Sequence, residues 1–320
     1  MGKKIVICCD GTGNEYGNRN TNVVKLFQAL KIDSQKQIAY YDPGVGTLSA
    51  PMAFSLVAKA ITKLYGLAFG YGITKNIEDA YEYLMDKYEE DSEIYLFGFS
   101  RGAFTVRALA GMIYKCGLLH KGSNNLIPYA TRMYRYGEKE LADGFKKTFS
   151  RDVRIHFIGV WDTVKSVGLF IPRKFPDSKL NPDVEIGRHA VSIDEKRSKF
   201  RPNLWDEADI PPESTQDIKQ VWFAGVHSDV GGSYAEDGLS NITLKWMLDE
   251  AADKGLLVND AIVNNIKGDH KGKIHNSLLP IWWILLWWKR KIEPGSNIHQ
   301  SVYDRLRDVR EYRPKNLPGR

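Results

Sequence analysis

The amino-acid sequence predicts an α/β fold in which a mostly parallel central sheet is covered by helices on both faces. Short apolar runs rich in β-branched and aromatic residues alternate along the chain with segments of helical periodicity. This alternation is typical of parallel sheets. Polar turn residues follow several of the apolar runs, and the carboxyl ends of parallel strands are where such sheets bind ligands.

The first half of the chain shows the alternation most clearly. Residues 4–9 form an almost wholly apolar run that breaks at the turn sequence DGTGN, as expected for a buried strand. The further elements predicted here are a helix over 22–30, a strand over 38–41, a helix over 73–88, a strand over 93–98 and a helix over 103–114.

The second half is less regular. Strands are predicted over residues 153–160 and 221–226, and a helix over 239–252. The stretch 172–216 contains six prolines and many charges, which favours an irregular insertion. The length of 320 residues fits a single α/β domain spanning 1–320 with this insertion.

Composition excludes several classes of protein. Lys and Arg exceed Asp and Glu by 45 to 39, a net charge of +6 that is too small for a nucleic-acid-binding surface. Cys8, Cys9 and Cys116 have neither a disulfide framework nor metal-ligand spacing, which fits a reducing compartment. The apolar stretch that ends before Asp10 is only five residues long, so we expect synthesis in the cytoplasm without a cleaved signal.

The sequence GFSRG at residues 98–102 has the pattern G-x-S-x-G between a predicted strand and a predicted helix. Glycines on either side of the serine allow the sharp turn that exposes a nucleophilic hydroxyl. The dipole of the following helix favours the negative charge of a tetrahedral intermediate. This context indicates an α/β-hydrolase-like fold with Ser100 as the nucleophile, and an ordinary tight turn is the alternative interpretation.

A serine nucleophile needs an imidazole base and a carboxylate that orients it, in the chain order serine, acid, histidine. Asp162 follows a predicted strand, and His227 is read as closing another, so both reach the sheet edge that carries the serine. We therefore expect Asp162 as the acid and His227 as the base. His299 is the alternative base, and Asp229 and Asp194 are alternative acids.

Backbone amides near the serine are expected to stabilise the oxyanion of the intermediate. The predicted donors are the amide of Arg101 and those of Gly11 and Thr12 in the DGTGN loop. Asp10 is expected to order this loop, although a cation site or a simple Asx turn are alternatives. The loop also resembles the phosphatase motif DxDGT, but Cys8 replaces its nucleophilic aspartate. No metal and no cofactor are expected.

Seven ordered sequence blocks extend the comparison over most of the chain. They are ICCDGTGN, YYDPGVGT, GFSRGAF, GVWDTV, RHAVSIDEKR, VWFAGVHSDVGGSY and IHQSVYDR. Together they resemble the catalytic domain of the phospholipase effectors of bacterial type VI secretion, within a large family of uncharacterised hydrolase domains from bacteria and fungi. The resemblance implies an α/β-hydrolase core, a triad of Ser100, Asp162 and His227, and phospholipase A-type activity. It also implies delivery by a dedicated secretion system, although we expect this short chain to lack the added membrane-anchoring module.

An aromatic segment at residues 278–288, followed by a basic triplet at 289–291, favours docking at a membrane interface. Its eleven residues are too few to span a bilayer. A core helix or a dimer contact are the alternatives. The residues expected to contact lipid are Trp282, Trp283, Trp287 and Trp288.

Taken together, these patterns predict a serine hydrolase that cleaves a lipid ester or a small soluble ester. The alternative is a hydrolase fold without activity that serves as a binding module in a bacterial multi-protein system.

Overall fold

The computed structural model describes residues 2–11, 17–44, 58–164, 181–206, 210–211, 213–277 and 289–318. The strands in these ranges are β1 (Lys4–Cys9), β2 (Gln37–Asp42), β3 (Glu93–Phe99), β4 (Leu118–Leu119), β5 (Ser150–Arg151), β6 (Ile155–Trp161), β7 (Val184–Ser192), β8 (Asp217–Phe223) and β9 (Asn297–Ile298). The α-helices are α1 (Asn22–Ala29), α2 (Ala58–Lys87), α3 (Arg101–Cys116), α4 (Ile127–Tyr136), α5 (Lys139–Phe149), α6 (His227–Gly231), α7 (Gly238–Ala252), α8 (Asp260–Asn265) and α9 (Gln300–Asp308).

Seven of these strands form one sheet in the order β2-β1-β3-β6-β7-β8-β9, and every neighbouring pair is parallel. β4 and β5 form a separate antiparallel pair. The parallel arrangement brings the carboxyl ends of the seven strands to one edge of the sheet. The residues that follow β1, β3 and β6 therefore become neighbours, although they are far apart in the chain.

Helices cover both faces of the sheet. Ile5 and Ile7 of β1 pack with α2 and α3, whereas the intervening Val6 and Cys8 pack with α1 and α7 on the opposite face. A strand that is buried on both faces favours apolar residues at successive positions, which explains the apolar run at residues 5–9 of β1. The predicted α/β class with a mostly parallel sheet is confirmed.

The prediction of an irregular insertion at residues 172–216 is wrong for its central part. β7 lies there, between β6 and β8 in the sheet. The charged residue Arg188 interrupts the apolar pattern of this segment, so the sequence did not predict the strand. Its guanidinium is fully buried, with Nη2 2.7 Å from Asp217 Oδ2 and Nε 2.6 Å from Glu250 Oε2. The two carboxylates come from β8 and α7, so the pairing that makes a charged residue tolerable in this strand depends on tertiary contacts.

Two further boundaries differ from the sequence predictions. β8 ends at Phe223, and His227 begins the short helix α6 instead of closing the strand. α2 begins at Ala58, well before the predicted start of that helix at residue 73. No helix in the described ranges is long and apolar enough to cross a membrane. The aromatic segment 278–288 lies outside the described residues.

Candidate active site

Ser100 lies in the sharp turn between β3 and α3, with its backbone in the left-handed region at φ 57°. A Cβ atom on Gly98 would lie 2.5 Å from the carbonyl oxygen of Gly102, and one on Gly102 would lie 2.0 Å from that of Cys9. Both distances are impossible for a real side chain. The two glycines of GFSRG are therefore required because strand, helix and the end of β1 meet at this turn.

The imidazole of His227 contacts the hydroxyl of this serine. Its Nε2 lies 2.8 Å from Ser100 Oγ, and its Nδ1 lies 2.6 Å from Asp162 Oδ2. With Nδ1 donating to the carboxylate, Nε2 carries the lone pair that accepts from the hydroxyl. The three residues come from the ends of β3 and β6 and from the start of α6, and the structure brings them into one hydrogen-bonded series.

Aromatic rings enclose the imidazole. The ring centroid of Phe99 lies 4.7 Å and that of Phe200 4.9 Å from the centroid of His227. His227 is 5% exposed and Ser100 is 9% exposed, so a substrate needs to cover little surface to exclude water from both. Hydrogen bonds in such a dry site are electrostatically stronger than in water.

Asp162 is completely buried, and its carboxylate has four hydrogen-bond donors. Oδ1 accepts from the amide of Ser192 at 2.9 Å and from Arg290 Nη1 at 2.5 Å. Oδ2 accepts from Arg290 Nη2 at 2.9 Å and from His227. Burial by itself raises the pKa of Asp162, but the charge of Arg290 and the bond to His227 outweigh burial and hold the pKa below its usual range.

Arg290 is the site residue that sequence reasoning missed. It belongs to the basic triplet at 289–291, which was expected to face a membrane, but its side chain is buried against Asp162. Only its neighbours Lys289 and Lys291 are exposed, so that interpretation of the triplet is wrong for its central residue. Nothing in the local sequence KRK distinguishes the buried cation from the exposed ones.

Asp10, the first residue after β1, lies beside the serine turn, since a Cβ atom on Gly102 would be 2.7 Å from its carbonyl oxygen. The carboxylate of Asp10 accepts from Thr21 Oγ1 at 2.5 Å, from the Tyr41 hydroxyl at 3.0 Å and from the amide of Gly11 at 2.6 Å. The backbone amide of Gly11, which was predicted to stabilise the oxyanion, therefore already donates to Asp10. Thr12, the other predicted donor of this loop, lies outside the described residues.

The alternative base lies elsewhere in the structure. His299 precedes α9, where its Nδ1 accepts from the amide of Ser301 at 3.2 Å and its ring stacks on Phe223 at 4.6 Å. Burial lowers the pKa of His299. Of the two histidines considered as the base, His227 is the one that the structure places against Ser100.

The alternative acids have other partners. Asp229 bonds His275, with Oδ1 2.6 Å from Nδ1 of that ring. Asp194 accepts from the amide of Gly225 at 2.7 Å and from the Tyr312 hydroxyl at 3.0 Å. Burial raises the pKa of Asp194 to about 6, against the opposing effect of these two donors.

Most of the chain matches the model of a known protein family. Residues 3–250 match the model of the family described as type VI secretion system phospholipase effector Tle1-like, catalytic domain. In Saccharomyces cerevisiae, the uncharacterized protein YEL023C is 41% identical over 219 residues, which are 62% of this chain and 32% of that protein.

Two solved structures are also similar to this chain. An uncharacterized protein from Pseudomonas aeruginosa has a TM-score of 0.49 and 18% identity, over 84% of this chain and 49% of the other. The Tle1 effector bound to the VgrG spike of the type 6 secretion system has a TM-score of 0.40 and 19% identity, over 73% and 51%. The chain thus spans about a third of its yeast relative and about half of each solved chain.

Proposed function

Because this chain belongs to the family of Tle1-like catalytic domains of type VI secretion phospholipase effectors, we propose that it is a serine hydrolase that cleaves carboxylic esters, with phospholipid acyl esters as its substrates. The observation that carries the proposal is the hydrogen-bonded series from Ser100 through His227 to Asp162. The left-handed turn that presents the hydroxyl supports it, since nucleophilic serines of parallel-sheet hydrolases occupy such turns.

The proposed reaction is a two-step acyl transfer. His227 Nε2 takes the proton of Ser100 as Oγ attacks the ester carbonyl carbon, and Asp162 stabilises the imidazolium that forms. The imidazolium then protonates the departing alcohol oxygen, which leaves an acyl ester on the serine. Water, deprotonated by the same imidazole, attacks this ester and releases the acid and the free enzyme.

The oxyanion of each tetrahedral intermediate needs donors that are already in place. The amide of Arg101, at the start of α3, is the proposed first donor, and the dipole of that helix adds to it. A second donor from Thr12 remains a prediction. The bonds that Asp10 makes to Thr21 and Tyr41 support its proposed role in holding this loop.

A fluorophosphonate probe tests the nucleophile. We expect the probe to label the wild-type protein and the control Ser123→Ala, whose serine makes no side-chain cap bond. Labelling should be absent in Ser100→Ala. Ester turnover should fall by about a thousandfold or more in His227→Ala and should change little in His299→Ala.

The outcomes separate the alternatives. A folded wild-type protein that the probe does not label would overturn the proposed activity and favour the binding module. Loss of turnover in His299→Ala with retention in His227→Ala would overturn the assignment of the base. Activity should rise from short soluble esters to phospholipid vesicles, and activity confined to short esters would overturn the lipid substrate alone.

A further inference from the structure

The buried ion pair between Arg290 and Asp162 has no part in the two-step mechanism described above. We propose that Arg290 is a positioning residue that holds Asp162 ionised and correctly rotated toward His227, and that its charge sets the pH range in which His227 acts as a base. The inference rests on the proposed function insofar as it concerns turnover. The ion pair itself is a property of the folded protein.

The guanidinium of Arg290 donates four hydrogen bonds, as many as the carboxylate of Asp162 accepts. Nη1 donates to Asp162 Oδ1 and to the carbonyl of Ser192 at 2.9 Å, and Nη2 donates to Asp162 Oδ2 and to the carbonyl of Phe200 at 2.7 Å. Arg290 is 1% exposed. The two parallel hydrogen bonds fix the plane of the carboxylate. Rotating the carboxylate would break both of them, and it would also break the hydrogen bond from the backbone amide of Ser192.

Charge balance is the second effect of this contact. Without a cation, the completely buried carboxylate would favour an extra proton on the pair of Asp162 and His227. Nε2 of His227 would then carry a proton and could not accept one from Ser100. With Arg290 present, the pair of Arg290 and Asp162 carries no net charge. Without Arg290 the pair of Asp162 and His227 would carry an uncompensated negative charge and would bind a proton at higher pH.

Few other charges face this pair. Glu195 accepts from the backbone amide of His227 at 3.3 Å, but its carboxylate is already paired with Arg197. His189 in β7 lies near Asp162, and burial, followed by the charge of Arg107, lowers its pKa to about 3. His189 is therefore neutral around pH 7 and adds no positive charge beside Asp162. Among the described residues, Arg290 is the cation that directly contacts Asp162.

The test compares Arg290→Met and Arg290→Lys with the control Lys291→Met, which removes an exposed cation one residue away. We expect Arg290→Met to lower kcat by about a hundredfold, since the carboxylate is no longer fixed. The acid limb of its kcat/KM profile should move up by about one to three pH units. Arg290→Lys keeps the charge but loses the two parallel bonds, so kcat should fall while the acid limb stays near that of wild type. Lys291→Met should change neither.

A second pair of variants is used because Arg290→Met leaves a buried carboxylate unpaired and can fail to fold. Asp162→Asn and the double variant Asp162→Asn with Arg290→Met remove the carboxylate charge in both backgrounds. If Arg290 acts through Asp162, the double variant should retain kcat within about threefold of the single variant. A further drop of about tenfold or more would overturn the inference, as would an unchanged acid limb in a folded Arg290→Met protein.

A measurement without substrate separates this inference from the proposed function. The imidazole signals of His227, assigned by their absence in His227→Gln, are followed by NMR as a function of pH. An upward shift of the His227 titration in Arg290→Met, with Lys291→Met unchanged, supports the role of the charge even if no ester is cleaved. An identical titration in all folded variants would overturn it.

Discussion

Two carboxylate–imidazole pairs lie near the carboxyl edge of the sheet, and the first bond of each has the same length. Asp162 Oδ2 and His227 Nδ1 are 2.6 Å apart, and so are Asp229 Oδ1 and His275 Nδ1. Both aspartates are buried. The two pairs differ in what lies at the far side of the ring.

The far nitrogen of His227 faces a hydroxyl, whereas that of His275 faces a second carboxylate. His275 Nε2 lies 3.2 Å from Glu236 Oε2, and the ring stacks on Tyr234 at 3.8 Å between centroids. The ring of His275 therefore has a carboxylate at the position where the ring of His227 has the hydroxyl of Ser100.

The two aspartates also differ in how their charge is balanced. Asp162 has the guanidinium of Arg290 on both oxygens, whereas Asp229 Oδ2 accepts from the neutral amides of Val226 and His275. The comparison teaches that an aspartate bonded to a histidine does not by itself indicate catalysis. The group at Nε2 and the cation behind the carboxylate distinguish the proposed catalytic pair from the structural one.

Replacing each aspartate by asparagine should give the largest difference between the pairs. Asp162→Asn should lower kcat by about a thousandfold or more, because the amide can no longer hold His227 in the tautomer that accepts from Ser100. Asp229→Asn should lower kcat by less than about tenfold, because His275 does not contact the serine. Turnover of an ester substrate measures both effects.

Thermal unfolding of the two variants serves as the control for folding. In Asp229→Asn the side-chain oxygen can still accept from the two backbone amides, and the NH2 group can donate to Nδ1 of a His275 ring that keeps its proton on Nε2 for Glu236, so this variant is expected to fold. A folded Asp229→Asn protein that loses as much activity as Asp162→Asn would contradict the distinction between the two pairs.

Asp194 is a third carboxylate for this comparison. It is partly exposed, and its described hydrogen-bond donors, the amide of Gly225 and the hydroxyl of Tyr312, are neutral. Its folded pKa of about 6 lies above the usual value of 3.8, so its contribution to stability is present below pH 3.8 and is lost as the pH rises through 6. Asp194→Asn removes this titration. The stability of wild type relative to Asp194→Asn should therefore fall by about 2 kcal/mol between pH 4 and pH 7.

Urea unfolding of the two proteins across this pH range measures that difference. A difference in unfolding free energy that stays constant with pH would show that Asp194 does not titrate there. The charge-balance comparison would then lose its third case, while the assignment of Asp162 would be unaffected.

The smallest effect is expected at Glu236, the exposed carboxylate next to the Asp229–His275 pair. Glu236→Gln keeps an oxygen near His275 and removes an exposed charge that also pairs with Lys273. We expect Tm to change by less than about 2 °C, since exposed ion pairs contribute little. Turnover should stay at the wild-type level, and a marked loss would indicate that His275 takes part in the reaction.

The sharp turn at Ser100 was predictable from sequence because its constraint is local. The apolar run before Ser100 predicts β3, the periodicity after it predicts α3, and the flanking glycines are those that the close packing of the turn requires. Asp162 follows its predicted strand directly. The contacts of these residues with His227 agree with the order and placement inferred from the chain.

Other features could not be predicted in this way. β7 looked irregular because Arg188 is a charged residue whose two carboxylate partners come from other elements. Arg290 was predicted to lie on the surface with Lys289 and Lys291. The residues that flank an arginine in the sequence do not show whether its side chain is buried. His227 was expected to end a strand, but it begins a helix that turns its ring back toward Ser100.

Local patterns of apolar and turn residues were thus enough to predict the α/β architecture and to propose Ser100, Asp162 and His227 as candidates, with His299 as an alternative base, because periodicity and tight turns depend on residues close together in the chain. Which imidazole reaches the serine, and which cation neutralises the buried aspartate, depended on the folded arrangement. Electrostatic partners are chosen by distance in space, and Asp162 is separated from Arg290 by 128 residues in the chain. No local pattern encodes such a pairing.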